Sequence, residues 1–179
     1  METAADLQAA CRELLPGYER ARRETERWAL LTPACLERRP VERTGETGPP
    51  AAERFDEIAL GMLIDPGADP GSMLITGVEY PSDMLCALWL ARRSGLFVAG
   101  AAVRGAAGSR SRLGLVPSFK PAALGHAAYT LATLYANAAY KRHLAARGNA
   151  QRVQLAANAS EVHERLARQA RSWGVALSV

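Results

Sequence analysis

From Ala51 onward, short apolar runs alternate with stretches of helical spacing, and that alternation limits the fold more than any other feature of the chain. Residues 73–78 (MLITGV) form an apolar run of strand length, bounded by turn-forming residues. Residues 81–93 have helical composition with Ser82 as the expected N-cap, and residues 96–103 (LFVAGAAV) read as a second buried strand. Residues 113–116 supply a third. Pro121 suits the first turn of a long helix reaching Ala146, which Gly148 and Asn149 end. Residues 152–155 alternate in the strand rhythm, Ser160 caps a helix through Trp173, and residues 175–179 give a last apolar strand. Parallel strands need long crossovers, so the expected fold class is α/β. The predicted form is a single small sandwich with a mostly parallel or mixed sheet of about 4–5 strands flanked by helices. An all-helical fold is the second choice.

A helical N-terminal segment precedes this unit. Leu7, Ala10 or Cys11, Leu14, Tyr18, Ala21 and Trp28 recur at helical spacing, while Pro16 and Gly17 interrupt them, giving either two short helices or one kinked helix. Residues 37–50 hold Pro40, Gly45, Gly48, Pro49 and Pro50 among charges and read as a linker or loop. The expected organisation is therefore a helical segment over 1–36, a linker over 37–50 and an α/β domain over 51–179. The first residues lack a basic, apolar leader pattern and no 18 apolar residues run together, so a soluble cytoplasmic protein is expected. Cys11, Cys35 and Cys86 show no metal-ligand spacing and read as reduced structural thiols.

Charge is segregated along the chain. Residues 1–89 hold 9 Arg against 16 Asp or Glu, a net of −7, whereas residues 90–179 hold 13 Lys or Arg against 2 Glu, a net of +11. Such a split points to an anionic partner for the second half. The leading anion-binding candidate is the loop that begins at Arg104. Gly105 and Gly108 there free the backbone to expose N–H groups, and Arg104, Ser109, Arg110 and Arg112 supply donors. The loop matches neither a Walker A sequence nor GxGxxG.

Two further groups carry chemistry. Asp65, Asp69 and Glu79, with Asp83 nearby, lie at loops and strand ends where carboxylates hold Mg²⁺; turn formation and helix capping explain the same residues. On the long C-terminal helix, Tyr129, Tyr140, Lys141, Arg142 and Arg147 offer interleaved aromatics and cations, a pattern for a partner surface, although the Ala-rich spacing also fits core. The histidines lack metal-ligand spacing and no serine sits in a GxSxG elbow.

The sequence-based expectation is a non-enzymatic binding or accessory module. Its basic half would engage nucleic acid or an acidic protein surface, with no membrane contact and with homo-oligomerisation as an option. The acidic half would cover the basic one in the same or a second copy. The alternative is a small Mg²⁺-dependent enzyme acting on a phosphorylated or nucleotide-like substrate, the only reading that brings a cofactor. A third is a scaffold assembling through the Ala-rich helix.

Overall fold

The computed structural model describes residues 1–37, 48–65, 71–100, 108–120, 124–155 and 160–178. Its arrangement follows from one helix. The segment Pro81–Arg93 (α4, in chain order) is buried at every residue, with its polar side chains confined to its two ends. A helix of that kind must be packed on all sides. Around it lie α1 (Ala4–Leu14), α2 (Glu24–Leu36) and α3 (Pro50–Ile64) from the first part of the chain, and α5 (Leu124–Ala136) and α6 (Ala138–Ala145) from the second. Leu7, Cys11, Leu31, Cys35, Phe55, Leu131 and Leu134 join it in one continuous core.

Burying α4 also buries the polar groups at its ends, which need partners. At the N-terminal end the Asp83 carboxylate accepts from the backbone N–H groups of Glu79 and Tyr80, each at 2.9 Å, and from Gln8 Nε2 of α1. The expected cap, Ser82, instead lies inside the helix, where its backbone N–H and hydroxyl both donate to Glu24 of α2. At the C-terminal end Arg92 Nε donates to the Glu37 carbonyl at 2.7 Å. Arg93 Nη1 pairs with Asp56 of α3 at 3.0 Å, and Ser94 donates to the same carboxylate. Each of the first three helices is thus tied to α4 by a polar contact as well as by packing.

The strands lie beside this helical body. β1 (Glu2–Thr3), β2 (Ser72–Thr76) and β5 (Gly114–Ser118) form a parallel sheet in the order β1-β2-β5, with Leu74 opposite Val116. Met73 and Ile75 are buried while Ser72 is exposed, the alternation of a sheet covered on one face. β6 (Ala150–Arg152) and β7 (Ala176–Ser178) pair in parallel, with α7 (Ser160–Ser172) between them. A single bridge from Ser118 to Gln154 links that pair to β5.

The α/β class expected from the sequence holds, but one sandwich sheet does not describe these strands. The segments 73–78, 81–93 and 96–103 have the composition of a β-α-β unit, which would set 96–103 parallel to β2. The described strand of that last segment, β3 (Phe97–Val98), pairs antiparallel with β4 (Arg110–Ser111), and β5 takes the place beside β2. Pairing with a neighbour in sequence closes a shorter loop than a crossover return does. The single long C-terminal helix is also two. Asn137 breaks it by accepting from the backbone N–H groups of Ala139 and Tyr140 while its amide donates to Thr32, so that a side chain caps α6 from within the run. Near the N-terminus, Pro16 and Gly17 separate α1 from α2, and Gly17 takes φ 86° at the turn. Among the described residues no helix is long and apolar enough to cross a membrane.

Two groups in the core carry testable consequences. Asp56→Ala leaves the Arg93 guanidinium, 6 % exposed, without its carboxylate; urea denaturation should show a loss of about 3 kcal/mol, and a change below about 1 kcal/mol would contradict the buried pairing. His143 is buried and its Nδ1 lies 2.7 Å from Ser111 Oγ; burial, helped by Arg147, pulls its pKa down to about 3. The unfolded chain therefore binds a proton near pH 6.5 that the native state refuses, so this contribution is full above that value and drains away as pH falls towards 3. Relative to His143→Gln, the natural protein should lose up to about 1.4 kcal/mol per pH unit below about 6.5. Parallel stability profiles for the two proteins would refute the assignment.

Candidate active site at the carboxyl ends of the parallel strands

Because β1, β2 and β5 run the same way, their carboxyl ends at Thr3, Thr76 and Ser118 share one edge of the sheet. Chain leaving parallel strands at that edge builds the usual ligand crevice of α/β proteins. Here it encloses a cleft of about 340 Å³, a size suited to a small ligand. Gly77 turns the chain out of β2 at φ 71°, a conformation that disfavours a side chain, and Val78 N–H holds the turn to the Ser118 carbonyl at 3.2 Å. A Cβ placed on Gly77 would lie 3.8 Å from Lys120 Nζ. The lysine that follows β5 therefore reaches back across the end of β2, with its ammonium group in the cleft.

The second cation, Arg27, arrives from α2. Its Nε donates to the Ala21 carbonyl at 3.1 Å, and its guanidinium lies 5.9 Å from the centre of the Tyr18 ring. Nη1 reaches Gln8 Oε1 at 3.5 Å. Gln8 is itself oriented, because its amide nitrogen donates to Asp83, which is fixed by the α4 N-terminus. A line of contacts thus runs from the capping carboxylate through Gln8 to Arg27, so the helix cap sets the position of a cation in the cleft. Glu79 and Tyr80 stand exposed at the rim, where Thr130 of α5 donates to the Glu79 carbonyl at 3.2 Å. Lys120 is exposed and pairs with no carboxylate among the described residues. Arg27, Lys120 and Thr76 thus line the cleft together with Glu79 and Asp83, and the two cations offer N–H donors suited to phosphate or carboxylate oxygens.

The residues singled out from sequence are distributed differently. In the basic loop, Arg104 and Gly105 fall outside the described residues. Arg110 belongs to β4 and Arg112 follows it, both exposed; Gly108 is exposed, and the Ser109 hydroxyl accepts from Gly100 N–H at 3.0 Å. Asp65 follows α3, before β2 in the chain, whereas Glu79 lies beyond the carboxyl end of β2 and lines the cleft, which Asp65 does not. Asp69 falls outside the described residues, and among those described no three His, Cys, Asp or Glu side chains come together as a metal site. Of the helical surface, Tyr140 is buried with its hydroxyl donating to Gln151 Oε1 at 2.8 Å, while Tyr129 is 67 % exposed. Arg142 donates to the Gly100 carbonyl at 3.0 Å, Arg147 to that of Arg112 at 3.1 Å, and Lys141 sits 5.4 Å from the Trp173 ring centre. Arg142 and Arg147 thus satisfy backbone carbonyls of the protein itself.

The three cysteines converge on α4 although they are far apart in sequence, and burial pushes the Cys11 and Cys35 thiols well up, which keeps them protonated. Sequence reasoning missed Arg27, Gln8 and Lys120. One signal was present: Lys120 is one of two lysines in an arginine-rich chain, and it directly follows the apolar run LGLVPSF.

Comparison with known proteins corrects the functional expectation. A sequence model of the phosphoenolpyruvate carboxylase family matches residues 5–160. A phosphoenolpyruvate carboxylase of Xanthomonas euvesicatoria pv. vesicatoria (strain 85-10) is 32 % identical over 133 residues, covering 73 % of this chain and 14 % of that protein. The chain therefore corresponds to a small part of the length of that relative. These matches overturn the non-enzymatic accessory module and the nucleic-acid-binding role, both of which rested on net charge, a property that reports on long-range attraction and leaves the chemistry of a site open. Arg27, Gln8, Gly77, Asp83 and Lys120 all fall inside the matched span, and on the strength of that match the chain belongs to the phosphoenolpyruvate carboxylase family.

Proposed function

We propose that this chain is a substrate-holding part of a carboxylase-type enzyme, and that the cleft between Arg27 and Lys120 receives phosphoenolpyruvate or a closely similar phosphorylated carboxylate. The observation that carries this reading is the placement of two cations from separate elements in one crevice at the carboxyl ends of parallel strands, within the span that matches the family. Phosphoenolpyruvate presents a phosphate and a carboxylate on a three-carbon frame, so two cations complement its two anionic ends. Arg27 offers a planar fork already oriented by Tyr18 and Gln8, and Lys120 a mobile point charge. Thr76 adds a hydroxyl, although that group already donates to the Glu2 carbonyl at 3.3 Å.

The family reading brings Mg²⁺ with it, since the carboxylases of this family depend on that ion. The cleft does not fit it. A hard cation takes oxygen ligands, commonly from one or two carboxylates. Of the two acids here, Asp83 is 1 % exposed and both its oxygens already accept hydrogen bonds from Gln8, Glu79 N–H and Tyr80 N–H. That leaves Glu79 alone beside two positive groups. No step is therefore routed through a metal here; the contribution of the chain is to bind and orient the anion.

Calorimetric titration of phosphoenolpyruvate into the full chain tests this. Binding should weaken by about ten-fold in Lys120→Ala and by a similar factor in Arg27→Ala, as expected for losing one charge-assisted contact, and stay unchanged in Arg112→Ala. Binding that survives both cleft substitutions and disappears in Arg112→Ala would overturn the assignment.

A further inference from the structure

We infer that the cleft binds its phosphorylated carboxylate directly on Lys120 and Arg27, with no divalent cation between protein and ligand. The inference rests on the proposed substrate site and adds how that site neutralises charge. A phosphorylated carboxylate bears negative charge at both ends, and a protein meets such a ligand either with a bound metal or with its own cations. The groups in this cleft are of the second kind.

The carboxylates come first. Asp83 is held at the N-terminus of a buried helix, accepting from two backbone N–H groups and from Gln8. Turning it towards a metal would strip the α4 cap and release Gln8, and with it one contact that fixes Arg27. Glu79 is the other carboxylate, and among the described residues no third acid, histidine or cysteine joins the pair. The cations come second. Lys120 Nζ lies close over Gly77, on the floor of the same cleft, so a metal ion entering there would meet an ammonium group of like charge. A ligand anion meets attraction from that group instead. Lysine also has three donors on a flexible stem, which lets it follow a phosphate group.

The decisive experiment titrates phosphoenolpyruvate into the full chain in EDTA and again in saturating Mg²⁺, with Mn²⁺ electron paramagnetic resonance as a direct readout of metal binding. The expected result is the same affinity in both buffers, a free-Mn²⁺ signal undiminished by the protein with or without phosphoenolpyruvate, and weakened binding in Lys120→Ala but not in Lys141→Ala. Thermal melts of both variants establish that they are folded. Affinity that rises ten-fold or more with Mg²⁺ while remaining sensitive to Lys120→Ala would overturn the metal-free mode and leave the substrate site standing. Absence of binding in either buffer would overturn both.

Discussion

Burial of α4 on every side is the constraint from which the rest of the structure follows. A helix with sequence PSDMLCALWLARR has no face to give to water, so the chain must supply a complete jacket. It does so with helices from both ends of the sequence. The cost of that arrangement falls on the polar groups at the helix ends. Each is met by a specific partner: Asp83 and Glu24 at one end, the Glu37 carbonyl and Asp56 at the other.

The cleft depends on the same solution. Asp83 caps α4 and simultaneously orients Gln8, which in turn contacts Arg27, so the requirement to satisfy a buried helix terminus positions a cation at the carboxyl edge of the sheet. Lys120 reaches that edge from β5 because β5 lies directly beside β2 in parallel register. Stability and site geometry are therefore coupled through one carboxylate. That coupling explains why the buried acid lining the cleft has no capacity left for a metal ion.

Parts of this were legible in the sequence. The apolar run MLITGV and the following helix were placed correctly because a strand of that length and a proline at helix entry are local signals. The partner of that strand was not local. Residues 96–103 have strand composition, yet β3 turns back on β4, and β5 is the parallel neighbour. Composition specifies a strand and leaves its pairing open. The break at Asn137 was missed for a similar reason, because an N-cap inside an Ala-rich run is decided by its hydrogen bond to Thr32, 105 residues away. The site was less legible still. Arg27 sits in a run of mixed charges that reads as a solvated helix face, and only Tyr18 and Gln8 distinguish it from its neighbours. Net charge drew attention to Arg110, Arg112, Arg142 and Arg147, whereas Arg142 and Arg147 hold backbone carbonyls.

A crystal structure of the chain soaked with phosphoenolpyruvate would test the central claim most directly. The account predicts the ligand at the carboxyl ends of β1, β2 and β5, with one anionic group within hydrogen-bond distance of Lys120 Nζ and the other near the Arg27 guanidinium. Ligand density against Arg110 and Arg112, or in the small cavity beside His143 and Arg147 at the opposite ends of the strands, would contradict it.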